Sequence, residues 1–256
     1  MWDEMFNNYT VYMLVFARML GMVMFNPIFD RKNMPNMLKA GLCLATTLLM
    51  AGKMANAGIE ITSFVQFAAM ALLELSIGLI IGYIVQLFLN VVVIGGEIID
   101  LQIGMGMAKI MDPSTNIQMP ITGSIYNLFF LIYFFMINGH LTLIKIVDSS
   151  FGIIPVGFTA FNANVLMYII QLFSQIFALG IKFSLPIMAA EIIAEVAMGL
   201  LMKTVPQINI FMLNIQLKLG LGFLLLLTLS VPMSKFIDNL INVMFQNIGN
   251  ALNMIA

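Results

Sequence analysis

The chain has 256 residues, 61% of them hydrophobic and only 9% charged, and its mean hydropathy is +1.03. A soluble domain of this length has no core large enough to hide that much apolar surface, so lipid or partner subunits must cover part of it. The formal net charge of -1, with no basic run anywhere, argues against nucleic acid or an acidic membrane surface as the main partner.

In chain order, Met1-Trp2-Asp3-Glu4 is acidic where a cleavable signal peptide would be basic. No small-residue cleavage site follows, so the first hydrophobic segment is expected to be retained. That segment runs from about Phe6 to Phe25, is interrupted by Arg18, and ends at Asn26-Pro27, with the loop Asp30-Arg31-Lys32 beyond it. A second, shorter run covers Met37 to about Gly52 and holds Cys43, the only cysteine, which reads as a small packing residue. The third extends from Thr62 to about Ile99 with Glu74, Gln86 and Glu97 along it, longer than one simple bilayer span of about twenty residues.

An irregular stretch from Gly104 to Pro120 precedes a run from Ile121 to Ile137, which Asn138-Gly139 breaks. The glycine- and proline-containing region from Lys145 to Asn164 is expected to be a loop with short helices. Val165 to Phe183 and Leu185 to Met202 abut at Pro186, as a helical hairpin or a kinked helix, and Val205-Pro206 closes the second. The last run, Phe211 to Val231, meets Pro232 and an amphipathic tail whose Phe236, Leu240, Val243, Ile248 and Leu252 keep helical spacing. The expected fold is all-α, with six to seven hydrophobic helical segments and neither repeat nor linker. Lys and Arg are scattered singly among the loops, so charge leaves the orientation open.

The residues offer little chemistry. His140 is the only histidine and no Gly-x-Ser-x-Gly elbow exists, so a hydrolytic triad is not expected. One His and one Cys supply no metal site, no phosphate-cradling glycine loop occurs, and no cofactor is called for. More informative are Glu74, Glu97, Asp100, Glu191 and Glu195, acids inside apolar runs, which must face protein, water or a cation. Glu191 and Glu195 share one helix face, with Lys182, Lys203 and Lys218 in neighbouring segments as candidate partners. Two readings stay open: ion pairs that fix helix register, or an ion or proton path serving a small-molecule transporter.

The segment Gly104-Met105-Gly106-Met107-Ala108-Lys109-Ile110-Met111-Asp112-Pro113 stands apart, with two glycines, three methionines and a turn-forming Asp-Pro between long apolar helices. Irregular backbone at membrane depth is tolerated where protein buries it or where it lines a cavity. It reads either as a pore-facing loop whose deformable side chains seal a channel or as a plain connecting loop.

From Arg18 nearly to its end the chain resembles the FliR/SctT family of flagellar and injectisome export-gate subunits. The resemblance rests on Arg18, Pro27, Phe29, Pro35, Lys39-Ala40-Gly41, Gly78, Gly82, Gln86, Gly96-Glu97, Gln102 and Gly104. More specific are the loop ending in Asp112-Pro113, the stretch Asn116 to Pro120, Asn138-Gly139-His140, Gly199-Leu200, Pro206-Gln207 and Phe211. It implies one non-enzymatic domain, 1–256, of long bent helical hairpins in the inner membrane at the flagellar basal body. The implied partners are FliP-like and FliQ-like chains, an FlhB-like protein, membrane lipid, and unfolded export substrates in transit. It also implies that the loop plugs the closed pore, the candidate residues being Gly104, Met105, Gly106, Met107, Ile110, Met111, Asp112 and Pro113. Positions matching Met107 and Ile110 are often phenylalanine in the family; here apolar bulk remains without aromatic rings. For buried charge pairing the candidates are Glu74, Glu97, Glu191, Glu195, Lys203 and Lys218. His140 is expected as a hydrogen-bonded turn residue at a helix-to-loop junction.

Overall fold

The computed structural model describes residues 2–29, 34–54, 63–105, 120–157, 162, 164–204 and 210–255. Among them the regular structure is helical throughout. The helices are α1 (Trp2–Met24), α2 (Asn36–Ala51), α3 (Phe64–Ile103), α4 (Ile121–Met136), α5 (Gly139–Ile153), α6 (Asn164–Thr204), α7 (Ile210–Thr228) and α8 (Ser230–Ile255). Two of them, α3 and α6, are long and apolar enough to cross a membrane, and up to four spans result if α4 with α5 and α7 with α8 each count as one broken span. The chain is an all-α membrane protein.

Two compact units can be distinguished, one built from residues 1–87, 135–172 and 242–256, the other from 88–134 and 173–241. In the first unit α1 buries Val11, Leu14, Val15, Arg18, Met19, Met22 and Val23, one stripe at helical spacing with an arginine inside it. The helix stops where Asn26 accepts the Ile28 N–H on its side-chain oxygen at 3.0 Å, an Asx turn ahead of which Pro27 permits no further helix. Helix α2 lays Cys43, Thr47, Met50 and Ala51 against α1 and turns Met37, Leu44, Leu48 and Leu49 outward.

Contact between α1 and α3 is made by glycine. A Cβ on Gly78 would collide with the carbonyl oxygen of Arg18, and one on Gly21 with the carbonyl oxygen of Leu75. Helices that meet without a hydrophobic driving force between them gain most from such backbone-to-backbone packing. In the second unit the same device joins α3 to α4, where Gly96 meets Gly123, and α3 to α6, where Gly95 lies against Gly180 and Phe183.

The course of the chain at its glycines and prolines has local causes. The region from Lys145 onward is helical to Ile153, because Leu143, Val147, Ser150 and Phe151 form a buried stripe that Gly152 and Pro155 obscured in the sequence. Of the two arrangements expected at Pro186, the hairpin is not formed: one helix runs through the proline, packed on both sides of the missing hydrogen bond, with Phe183 and Ile187 both buried. The last break falls at Leu229, not at Pro232; α7 and α8 meet there at 61°, and Pro232 occupies the first turn of α8, where no N–H partner is required. The Asn138-Gly139 break is as expected: Asn138 is left-handed, at φ 58°, and its carbonyl receives the N–H groups of Leu141 and Thr142.

Candidate functional site

The loop expected to matter most is held by a built neck in the second unit. Helix α3 ends at Gly104, whose φ of +92° suits glycine alone without strain, and Met105 is buried. Gly106, Met107, Ile110, Met111, Asp112 and Pro113 lie outside the described residues. On the far side Pro120 is buried, and the Thr122 N–H at the start of α4 points at both carboxylate oxygens of Asp100, 3.2 and 3.3 Å away. Asp100 is only 1% exposed; its carboxylate faces the Thr122 N–H in the first turn of α4, the positive end of a helix. With Gly96 against Gly123 one turn below, the chain leaves α3 and re-enters α4 side by side.

Beside this neck a largely apolar cavity of about 390 Å³ lies among Thr122, Tyr126, Phe129, Tyr133, Phe223 and Ile237. Tyr133 donates its hydroxyl to Asp238 at 2.8 Å, which leaves an otherwise greasy wall with one satisfied polar edge.

The buried acids separate into two kinds. In the first unit the Arg18 Nε donates to Glu74 Oε2 at 2.6 Å, Nη1 to Ser150 Oγ at 3.0 Å, and Nη2 to the Ile154 carbonyl at 3.1 Å. The other carboxylate oxygen of Glu74 receives the N–H of Gly157 at 3.1 Å, a residue at φ +86°. The guanidinium also covers the Phe151 ring, 4.0 Å from its centroid. Both charges are out of solvent, Arg18 at 0% and Glu74 at 1% exposure. Each is hydrogen-bonded at several atoms, the condition under which a buried ion pair is tolerated.

In the second unit Glu195, exposed, pairs with Lys218 at 3.0 Å, so one of the expected lysines does meet its acid. Glu191, one helical turn away, is fully buried in line with Ile187, and neither of its carboxylate oxygens has a hydrogen-bond partner among the described residues. Glu97 and Lys203 are exposed on α3 and α6. Of the six charges singled out, only Glu195 and Lys218 meet each other; Glu74 takes an arginine. The role of Arg18 was missed, although its place at i+3 and i+4 from Val15 and Leu14 already put it on the core face of α1. His140 opens α5 with its ring against Phe135, centroids 5.3 Å apart, and its buried Nδ1 lacks a partner among the described residues.

Residues 9–244 match the family described as bacterial export proteins, family 1. The flagellar biosynthetic protein FliR of Escherichia coli K12 is 28% identical over 244 residues, covering 95% of this chain and 93% of the relative. That of Bacillus subtilis is 25% identical over 252 residues, covering 97% and 96%. The FliR of Buchnera aphidicola from Acyrthosiphon pisum reaches 34% over 179 residues, covering 68% and 69%. With the family matched over residues 9–244, and with the motif residues Gly78, Gly82 and Gly96 of α3 making its close contacts to α1, to the turn after it and to α4, the chain belongs to the FliR/SctT family of bacterial export proteins.

Proposed function

We propose that the chain is the FliR-type subunit of a flagellar type III protein export gate in the bacterial inner membrane, at the flagellar basal body. With FliP-like and FliQ-like chains, and next to an FlhB-like protein, it forms the channel through which unfolded substrates leave. Its two compact units act as one export domain, since α3, α6 and α8 each supply residues to both. The subunit carries no catalytic residue in this reading; its work is to line and close a path.

The segment from Gly104 to Pro120 closes that path at rest, Met105, Met107, Ile110 and Met111 supplying its apolar bulk and Gly104, Gly106, Asp112 and Pro113 its turn-forming residue types. The observation that carries the reading is the tied neck formed by Asp100, Thr122, Gly96 and Gly123. The neck keeps the two ends of the segment together, and unbranched thioether side chains exclude water while adapting to whatever passes. Deleting Met105 to Met111 tests it: ion leak across the resting membrane is expected to rise, with export altered, and an unchanged leak overturns the plug assignment.

A second reading has one observation in its favour, the buried carboxylate of Glu191, which has no hydrogen-bond partner among the described residues and lies near Glu195 and Lys218. It makes the chain an ion-coupled small-molecule transporter. Purified alone in vesicles, such a transporter takes up substrate, whereas a gate subunit moves nothing without its partners.

A further inference from the structure

The C-terminal helix has a face that neither the gate loop nor the buried charges use. Beyond Asp238, α8 contains no charged residue. Its exposed positions in the first unit are Asn242, Gln246, Asn250 and Asn253, with Met254 at the end. Spacings of four, four and three place these carboxamides in one row along the helix. A solvated helix face ordinarily carries Lys and Glu, and a lipid-facing one carries Leu and Ile. An uncharged amide row fits neither use.

A second observation lies at the end of that row. An open cleft of about 340 Å³ is formed where Asn253 of α8 faces Asn162, Asn164 and Gln171 around the start of α6, with Met167 and Tyr168 as its apolar wall. Tyr168 donates its hydroxyl to Asn247 at 2.6 Å, and Asn247 donates in turn to the Val243 carbonyl at 2.7 Å, so the two walls are held at a fixed separation. Carboxamides have therefore been gathered from α8, from α6 and from the turn before α6 into one concave, uncharged site.

A carboxamide presents a carbonyl acceptor and an N–H donor with the same geometry and strength as a peptide group. A row of them recognises a polypeptide main chain in extended form, with no regard to its side chains, as an exposed strand edge does in strand addition. The absence of charge is also selective: an ion or an acidic lipid headgroup would call for Lys or Arg, and a charged wall would hold back substrates of opposite sign. We propose that this cleft and the amide row of α8 bind the main chain of an extended polypeptide during its passage, giving the export path a sequence-indifferent contact. The proposal rests on the channel reading above.

The test uses the complete export apparatus in cells, with an export substrate stalled in transit by a stably folded C-terminal fusion. A photo-crosslinking residue is placed at Asn253 in one strain and at Met107 in another. Crosslinks from both sites to the stalled substrate are the expected result. A crosslink from position 107 with none from 253 overturns the cleft while leaving the channel; none from either overturns both. In parallel, the pair Asn164→Leu and Asn253→Leu is expected to slow export of unrelated substrates alike by roughly three- to tenfold, the factor carried by the loss of one or two net hydrogen bonds. Resting ion leak and co-purification with the partner chains are expected to stay unchanged. Replacing the same two residues with Asp is expected to make the export rate depend on substrate charge. Loss of co-purification in the leucine pair would identify the face as a subunit contact and overturn the proposal, as would unchanged export.

Discussion

Two regions of this protein bury acids in opposite ways. Around Arg18 and Glu74 the charges are opposite, in contact, and hydrogen-bonded to Ser150, to the Ile154 carbonyl and to the Gly157 N–H. Around Glu191 a carboxylate is equally buried but its oxygens have no hydrogen-bond partner among the described residues, and the neighbouring Lys218 is engaged by Glu195. The first arrangement uses a salt bridge to fix where α1, α3 and the end of α5 stand. The second leaves a costly group unsatisfied, and such groups are kept where something other than stability depends on them. Equal burial therefore goes with unequal satisfaction: Glu74 is hydrogen-bonded at both oxygens, Glu191 at neither among the described residues.

The strongest way to break this contrast is to remove half of the first pair. Arg18→Ala or Glu74→Ala leaves an uncompensated buried charge and is expected to cost about 3–5 kcal/mol, seen as loss of folded subunit in protease-resistance or thermal measurements on the purified complex. The double change Arg18→Met with Glu74→Leu is expected to recover much of that loss; equal destabilisation by single and double variants would show that the pair is not coupled. Next is Gly78→Val, where a side chain meets the Arg18 backbone, expected to cost roughly 1–3 kcal/mol by the same assays and to disturb the ion pair one turn away.

A smaller effect is expected at the loop neck. Asp100→Ala removes a helix cap worth about 0.5–2 kcal/mol and should raise resting ion leak without preventing assembly, measured together in one strain. Glu191→Gln sharpens the comparison from the other side, since removing an unsatisfied charge is expected to leave stability unchanged or improved. A loss as large as that of Glu74→Ala would dissolve the distinction between the two regions. The smallest change belongs to Glu195→Ala, an exposed pair with Lys218 worth about 0.2–1 kcal/mol and reduced further by added salt.

Much of the helical plan was legible because apolar stripes repeat at helical spacing whatever surrounds them. The bounds of α1, α2, α3 and α7 lie within a few residues of those expected, and Asn138-Gly139 broke the chain where anticipated. The region after Lys145 was misjudged because Gly152 and Pro155 drew attention from the stripe of Leu143, Val147 and Phe151. At Pro186 the sequence left a hairpin and a single helix both open, and only packing on both sides of the proline decided for one continuous helix. Of the site, the glycine- and methionine-rich loop announced itself by composition, whereas its neck did not. Nothing in Asp100 or Thr122, 22 residues apart, signals that one caps the helix of the other.

The sequence by itself determined that this chain is helical, apolar enough for a membrane, poor in reactive groups and a member of the bacterial export proteins. Those properties are sums over residues or local periodicities, and they hold before any helix meets another. Tertiary structure decided which charges pair. Arg18 lies 56 residues from Glu74 and 132 from Ser150, and only the glycine contact between α1 and α3 brings the guanidinium within reach of the carboxylate. Partners for a buried charge are chosen by backbone proximity at distances of a few ångströms, and that information resides in no single segment.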